Sequence, residues 1–318
     1  MKNVLLIATG GTIASIQTED GMMPGLDGNG LIQRVPALKD ICNIDTLQLM
    51  QLDSTNIHPA HWVKIAHVIN ENYSKYDGFV ISHGTDTMAY TSSALYYMLE
   101  NLNKPVIITG SQLSLTEEGS DAPDNLITAF TAAANGPAGV YLAFYGRLIQ
   151  GNAAKKMYTE NFYAFHSINV PEAALLKNGK LSFNPDYTPY TSAQAHYNKP
   201  LTINDCLDTN VIILELSPGF RPEYIRAIVD SGCHGIILKT FGAGGIPGRE
   251  SDLNLLPAID YAIKKGIKIV AASQCIYDGI HMDRYEVGLT ALKHGVESGE
   301  YLTTEAMLVK MMLELGKK

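Results

Sequence analysis

Two short polar turns carry the hydroxyl groups with which this chain could do chemistry. Thr9-Gly10-Gly11-Thr12 follows the apolar run of residues 4–8, and Gly84-Thr85-Asp86-Thr87 follows the apolar run of residues 79–81. In open α/β sheets, ligands bind at the carboxyl ends of the strands, because helix N-termini and free backbone N–H groups point outward there. Helix capping by Thr or Asp is the alternative interpretation of each turn alone. The two turns together predict two threonines in one pocket.

A threonine hydroxyl is a weak nucleophile until a neighbouring group takes its proton. Asp86 is adjacent to Thr85, and a lysine is available in Gly151-Asn152-Ala153-Ala154-Lys155-Lys156. A lysine that reaches the Thr–Asp pair would keep the carboxylate ionised and, once desolvated, could act as a base. A solvated loop charge is the alternative interpretation of the two lysines.

A third polar turn, Asp53-Ser54-Thr55, follows a strand predicted for residues 46–51. Its hydroxyls and backbone N–H groups suit a small carboxylate ligand, although capping of the helix that begins near Pro59 would explain it too. His83 precedes the second turn. Because the sequence has no Gly-x-Ser-x-Gly elbow, we interpret His83 as a packed or positioning residue.

Other kinds of site are not indicated. No His-x₃-His pair or acidic cluster has metal-ligand spacing, and the first turn lacks the features of a P-loop or a dinucleotide fingerprint. We therefore expect neither a metal nor a cofactor. The cysteines form no Cys-x-x-Cys pair and are expected to be free thiols; they are Cys42, Cys206, Cys233 and Cys275.

Charge and composition exclude further classes of protein. The 318 residues are 46% hydrophobic and 18% charged, with 24 Lys and Arg against 32 Asp and Glu, a net charge of −8. An acidic surface repels phosphate backbones, so we expect no nucleic-acid partner. The N-terminal apolar run is too short for a signal peptide, and no run approaches the roughly 20 apolar residues of a membrane span. We expect a cytoplasmic protein without membrane contact.

Short β-branched runs alternate with helical patterns, which predicts an α/β protein. We expect a large N-terminal catalytic domain (residues 1–185) with a mostly parallel sheet covered by helices on both faces, a linker (186–207) rich in turn signals, and a smaller C-terminal α/β domain (208–318). The predicted strands are residues 3–9, 46–51, 78–83, 105–109, 139–145, 210–216, 234–240 and 267–273, and the predicted helices are residues 60–76, 90–102, 122–135, 222–231, 251–265 and 303–315.

Several segments resemble those of bacterial-type L-asparaginases, nearly from end to end of the chain. The resemblance is greatest to the cytoplasmic type I branch and its archaeal relatives. The segments that carry it are Thr9-Gly10-Gly11-Thr12-Ile13-Ala14, His83-Gly84-Thr85-Asp86-Thr87, residues 104–112, the Lys156 segment, residues 241–247 and Tyr277-Asp278-Gly279. The two threonine motifs together are highly specific.

The resemblance implies a reaction and roles for particular residues. Thr12 would attack the side-chain amide carbon of L-asparagine, which yields L-aspartate and ammonia without a cofactor. Thr85, Asp86 and Lys156 would form a second polar triad, in which Asp86 also binds the substrate α-amino group. L-Glutamine would be a weak second substrate.

The resemblance also implies how the substrate is enclosed. Ser54 and Thr55 would bind its α-carboxylate, and Gly11 would line the site. The stretch from Gly21 to Gly30 would form a mobile lid over it. Active sites of this family lie between the large domain of one subunit and the small domain of another, which implies a homodimer or homotetramer.

Two positions depart from the family pattern. Met22 stands where the lid usually carries a tyrosine that takes the proton from the attacking threonine, and methionine is no useful proton acceptor. Ala153 stands where the family has an arginine. A replacement for the tyrosine could be Lys156 acting through Thr85, or Tyr277 or Tyr285 of a partner subunit.

Two other functions stay open. The first is an asparagine-binding protein with little turnover, which the methionine in the lid suggests. The second is the asparaginase-like subunit of a tRNA-dependent amidotransferase. That subunit carries an additional N-terminal domain, and because the first predicted strand here begins at residue 3, we expect the amidotransferase assignment to be wrong.

Overall fold

The structure is a computed structural model that describes residues 1–18, 21–188 and 199–317. The chain divides into two compact units, Met1–Asp205 and Cys206–Lys318. The limits predicted for the linker stay a prediction, and residues 189–198 of it lie outside the described residues.

The first unit is built around a large sheet and helices on both of its faces. Its strands are Asn3–Gly10 (β1), Ser15–Thr18 (β2), Gly21–Pro24 (β3), Asn43–Leu52 (β4), Gly78–Ser82 (β5), Leu99–Glu100 (β6), Pro105–Thr109 (β7), Gly139–Phe144 (β8), Arg147–Gln150 (β9), Ala154–Lys156 (β10), Phe165–Ser167 (β11), Ala174–Lys177 (β12), Lys180–Phe183 (β13) and Thr202–Ile203 (β14). Its helices are Gly28–Arg34 (α1), Pro59–Asn72 (α2), Met88–Met98 (α3) and Ala122–Asn135 (α4).

The large sheet has the strand order β13-β12-β9-β8-β7-β5-β1-β4 in the described part of the chain. Strands β4, β1, β5, β7 and β8 are parallel, whereas β9, β12 and β13 continue the sheet antiparallel. Every residue of β5 and of β7 is buried, as expected for strands that helices cover on both faces. The predicted α/β class with a mostly parallel sheet is confirmed.

The strand order determines which turns meet. Strands β4, β1, β5 and β7 are neighbours and parallel, so the turns that follow them lie side by side at one edge of the sheet. The chain passes from β1 to β4 on one side and then to β5 on the other. This reversal is the topological position at which open α/β sheets bind ligands.

The stretch from Gly21 to Gly30 contains regular structure. Strand β3 pairs antiparallel with β2, so that Met22 lies opposite Gln17 in the backbone register. Helix α1 begins at Gly28, and the Asp27 carboxylate caps it by accepting a hydrogen bond of 2.7 Å from the Gly30 N–H. The first part of the predicted lid is therefore a hairpin strand, and its end is the first turn of a helix.

The second unit is a smaller α/β layer whose parallel sheet has the order β15-β16-β17-β18. The strands are Val211–Glu215 (β15), Gly235–Thr240 (β16), Lys268–Ser273 (β17) and Glu297–Ser298 (β18), and the helices are Pro222–Asp230 (α5), Leu256–Lys264 (α6), Glu286–Lys293 (α7) and Thr304–Gly316 (α8). Among the described residues, no helix has the length and apolar character needed to cross a membrane.

Helix α6 begins five residues later than the sequence predicts. The Ser251 hydroxyl accepts a hydrogen bond from the Leu253 N–H, and the Asn254 side-chain oxygen accepts one from the Leu256 N–H. Such local bonds compete with helical ones, and Pro257 favours the first turn of a helix.

Candidate active site

Glycines bring the turns after β1, β4 and β5 into direct backbone contact. A Cβ atom on Gly84 would lie 2.7 Å from the Ser54 hydroxyl oxygen and 3.2 Å from the Gly11 Cα. The Gly11 N–H donates a hydrogen bond of 3.0 Å to the carbonyl of Leu52, which fixes the first turn to the end of β4. Three turns that are far apart in the sequence therefore form one compact floor.

Lys156 joins the second turn from a different element. Its Nζ donates hydrogen bonds of 2.7 Å to Thr85 Oγ1 and 2.7 Å to Asp86 Oδ1. The Thr85 side chain is buried, whereas the Asp86 side chain is 58% exposed and the Lys156 side chain 19% exposed. The ammonium thus links an inner hydroxyl to a carboxylate that faces solvent.

The β10–β11 hairpin determines which of the two adjacent lysines reaches the threonine. Lys156 pairs with Phe165 and Lys155 pairs with His166 in its antiparallel register. Because successive side chains of a strand point to opposite faces, only one of the two lysines can face Thr85.

Gln112, which follows β7, is a second partner of Thr85. Its Oε1 lies 3.4 Å from Thr85 Oγ1, and its Nε2 donates to the carbonyls of Tyr158 (3.4 Å) and Asn161 (3.2 Å). The sequence gives Gln112 no role of its own. Its position three residues after the end of β7 is the signal that could have identified it.

The loop that carries Gln112 is anchored at its base by a buried carboxylate. Asp121 accepts hydrogen bonds from the backbone N–H of Gln112 (3.0 Å) and of Leu113 (3.1 Å), and from the Asn125 side-chain amide (2.9 Å). The loop also contacts the segment that begins at Thr12, since the Leu115 N–H donates to the carbonyl of Ile13 at 3.4 Å and the Ser114 hydroxyl donates to that of Ser15 at 2.5 Å. One loop therefore holds both threonine turns.

Thr12 begins a single 3-10 turn, Thr12–Ala14, directly after two glycines of positive φ. Its side chain is half-buried, and its hydroxyl has no hydrogen-bond partner among the described residues. The hydroxyl is thus available to a substrate, and no residue in the described part of the chain is in place to take its proton directly.

The third turn combines capping with an available hydroxyl. Asp53 Oδ1 accepts hydrogen bonds from the Thr55 N–H (2.8 Å) and the Thr55 hydroxyl (2.6 Å), and these bonds lower the pKa of Asp53. The Thr55 hydrogen is therefore engaged. The Ser54 hydroxyl, buried beside Gly84, has no hydrogen-bond partner among the described residues, so it is free to bind a carboxylate.

His83 is fully buried and has a partner at each ring nitrogen. Trp62 Nε1 donates to the Thr91 hydroxyl (3.1 Å), Thr91 lies 2.8 Å from His83 Nε2, and His83 Nδ1 lies 2.7 Å from the Gly84 carbonyl. The Gly84 carbonyl can only accept, so Nδ1 carries a hydrogen, and the Thr91 hydroxyl, which accepts from Trp62, can donate its own hydrogen to Nε2 of a neutral imidazole. Burial lowers the pKa of His83 to about 4. This side chain holds the second turn in place.

Comparisons with known proteins agree with the two units. Residues 3–188 match the model of the N-terminal asparaginase domain, and residues 210–318 match that of the glutaminase/asparaginase C-terminal domain. The chain belongs to the asparaginase family. Accordingly, it is an amidohydrolase of that family.

Members of the asparaginase family with different names resemble the chain over most of its length. An L-asparaginase of Thermococcus kodakarensis is 40% identical over 98% of this chain and 92% of its own, and L-asparaginase 1 of Escherichia coli is 35% identical over 100% and 93%. A glutamyl-tRNA(Gln) amidotransferase subunit of Pyrococcus abyssi is 34% identical over 99% of this chain and 72% of its own. A solved structure of the thermostable L-asparaginase from T. kodakarensis superposes with a TM-score of 0.92 at 39% identity, over 99% of this chain and 93% of its own. The resemblance to archaeal and type I asparaginases is confirmed.

The two departures from the asparaginase pattern differ in what the structure describes. Ala153, where the resemblance implies an arginine, is buried and ends the turn before β10, and its carbonyl accepts from the Ile168 N–H at 2.8 Å. Met22 is described for its backbone, while its side chain lies outside the described part of the chain.

Proposed function

We propose that the protein hydrolyses L-asparagine to L-aspartate and ammonia, with Thr12 as the nucleophile. The observation that carries the proposal is the pair of 2.7 Å hydrogen bonds from Lys156 to Thr85 and Asp86. Thr85 and Asp86 lie in the turn that packs against the Thr12 turn, and Lys156 reaches them from β10, so the three groups can serve as a proton-transfer unit. The similarity to the T. kodakarensis L-asparaginase supports the same substrate.

The charges of the site suit both ends of a free amino acid. The exposed Asp86 carboxylate can accept hydrogen bonds from a substrate ammonium, and the Ser54 hydroxyl can donate one to its carboxylate. Because Thr55 donates its hydrogen to Asp53, its hydroxyl can bind the α-carboxylate only after it turns away from Asp53, and until then it supports the turn that carries Ser54. Gly11 contributes by lying so close to the second turn that no side chain separates the threonines.

In the first step, Thr12 Oγ1 forms a bond to the side-chain carbonyl carbon of asparagine. The bond between that carbon and the amide nitrogen breaks, and the hydrogen that leaves Thr12 ends on the departing nitrogen as ammonia is released. We assign the transfer of this proton to Lys156 acting through Thr85. The product is an aspartyl ester of Thr12.

In the second step, water adds to the ester carbon and the bond to Thr12 Oγ1 breaks. The threonine regains its hydrogen, and aspartate leaves as the carboxylate with one proton released to solvent. The same Thr85–Lys156 pair can take the proton of the attacking water, since the two steps are mirror images in proton transfer.

The test is ammonia release by the purified protein from L-Asn, D-Asn and L-Gln. We expect release from L-Asn to be fastest, and rapid quenching followed by mass spectrometry to find an aspartyl ester that Thr12→Ala lacks. The Thr12→Ala and Thr85→Val variants should each be at least ~10²-fold slower. No ammonia from any of the three amides would contradict the proposed function.

The relatives named as amidotransferase subunits support a second candidate, an ammonia-supplying subunit that works with a partner. Fast turnover of free L-Asn by the isolated chain would exclude it. The departure at Met22 supports a third candidate, an asparagine-binding protein. Single-turnover kinetics separates it from the enzyme, because a binding protein would form no aspartyl ester.

We further propose that the protein is a homodimer or homotetramer, whose mass sedimentation measures, and that it is cytoplasmic.

A further inference from the structure

Gln112 lies next to Thr85 and has no role in the proposed reaction steps. It lies at the carboxyl end of β7, in the strand order directly beside β5, whose end carries Thr85. Its side-chain amide has partners on both of its polar atoms. These partners determine the orientation of the amide and the role of the residue.

The orientation of the amide follows from its partners. Nε2 has two hydrogens, and the carbonyls of Tyr158 and Asn161, which can only accept, lie 3.4 and 3.2 Å from it. A flipped amide would place Oε1 against those two carbonyl oxygens, which is unfavourable. Oε1 therefore faces Thr85.

The hydrogen of Thr85 follows from the same reasoning. A charged Lys156 can only donate, and its Nζ takes one lone pair of Thr85 Oγ1 at 2.7 Å. Gln112 Oε1, at 3.4 Å, is then the acceptor that the described residues offer to the Thr85 hydrogen. When Lys156 is neutral, the hydrogen can turn from Gln112 to the amine instead.

We propose that Gln112 is a positioning residue for the reaction, because its amide oxygen holds the hydrogen of Thr85 and so fixes which lone pair Thr85 presents to Lys156. The inference rests on the proposed function and adds a residue to it. Two contacts keep Gln112 in register: Asp121 holds its backbone N–H, and the loop that follows Lys156 holds its amide nitrogen. Hydrogen bonds of proton-transfer groups are often long before substrate binds, as this one is.

Two substitutions separate this role from a purely structural one. Gln112→Met removes every side-chain hydrogen bond at similar length. Gln112→Glu keeps an acceptor for Thr85 but loses both donations to the loop and adds a charge within about 6 Å of Lys156, since Gln112 Oε1 and Lys156 Nζ contact the same oxygen at 3.4 and 2.7 Å. Asp86 is the charged group already paired with Lys156. Gln33→Met, on the exposed side of α1, is the matched control.

The experiment measures kcat and KM for L-Asn against pH in the full-length variants. We expect Gln112→Met to lower kcat by about 10- to 100-fold with KM changed less than about threefold. Gln112→Glu should be faster than Gln112→Met, and the limb of its pH profile that belongs to Lys156 should move to higher pH by about 0.5 to 2 units. Gln33→Met should match the wild type.

If kcat falls equally in Gln112→Met and Gln112→Glu and the pH profile does not move, Gln112 only anchors the loop and the proposal is wrong. An unchanged kcat in Gln112→Met would also overturn the proposal. A second readout does not need turnover: the titration of Lys156 Nζ by NMR, assigned by the loss of its signal in Lys156→Met. If the wild type releases no ammonia, the proposed function is wrong, and an unmoved Lys156 midpoint in Gln112→Glu would separately show that the inference is wrong.

Discussion

Gly11 and Gly84 lie so close together that a Cβ atom on Gly11 would be 2.2 Å from the Gly84 nitrogen. No real side chain tolerates such a distance to backbone atoms. The contact joins the turn that carries Thr12 to the turn that carries Thr85, and the φ of +85° at Gly11 adds a second reason for glycine there. The mutual position of the two threonines therefore depends on the absence of two side chains.

We expect Gly11→Ala to lower both activity and stability. The substitution adds backbone strain and forces the two turns apart, so the free energy of unfolding should fall by about 2 kcal/mol or more and kcat by at least ~10²-fold. Gly179→Ala is the matched control, because Gly179 has a φ of +73° and no atom within 4 Å of its added Cβ. Urea unfolding and ammonia release measure the two effects, and equal effects in both variants would contradict the steric argument.

The second prediction separates the two adjacent lysines. Lys156→Met should abolish ammonia release to at least ~10²-fold below the wild type, because Thr85 and Asp86 both lose the ammonium that joins them. Lys155→Met, one residue away and on the other face of β10, should stay within about fivefold of the wild type. A Lys155→Met variant as slow as Lys156→Met would show that the assignment of the lysine is wrong.

Asp86→Asn should raise KM as well as lower kcat, since Asp86 is assigned to bind the ammonium of the substrate.

The parallel half of the sheet could be predicted because its strands are continuous apolar runs. Residues 79–81 and 106–108 are buried on both faces, and such burial leaves a clear mark in the sequence. The antiparallel half leaves none: three of the four residues of β13 (Lys180–Phe183) are exposed, so its composition resembles a loop. Helix α7 (Glu286–Lys293) has only about two turns, too few for a helical period to stand out in its sequence.

In the candidate site, too, features set by neighbouring residues could be predicted from the sequence, whereas features set by long-range strand pairing could not. The threonine turns could be predicted because strand, turn and helix follow one another in the sequence. The face on which Lys156 lies depends on its pairing with Phe165, and the contact of Gln112 with Thr85 depends on the order of β5 and β7 in the sheet. No pattern within a few residues of either side chain contains that information.

The third prediction concerns stability against pH. Burial lowers the pKa of His83 from 6.5 to about 4, so between these values the unfolded chain binds a proton that the folded protein does not. Protonation then favours unfolding: the contribution of the neutral imidazole is fully present above pH 6.5 and is lost as the pH falls to 4, by about 3 kcal/mol in all.

Urea unfolding from pH 4 to 7.5 checks this contribution. We expect the wild type to lose stability over the lower part of the range more steeply than His83→Gln does. His281→Gln, which removes one half-buried histidine from the second unit, should keep the slope of the wild type. A His83→Gln variant with the same slope as the wild type would show that His83 titrates as it does in the unfolded chain.

The fourth prediction concerns Met22, which stands where the resemblance to L-asparaginases implies a lid tyrosine. The Thr12 hydroxyl has no partner among the described residues, whereas Lys156 donates hydrogen bonds to Thr85 and Asp86 in the turn that packs against the Thr12 turn. We therefore expect Lys156, acting through Thr85, to replace the tyrosine, and Met22→Tyr to leave kcat unchanged or lower it, because two groups would compete for one place. Met23→Tyr, which adds the same ring at an exposed neighbouring position of β3, is the control. A positioned acid–base group contributes roughly 10²–10⁴ to a rate, so a gain of about tenfold or more in Met22→Tyr alone would show that nothing in the native protein replaces it.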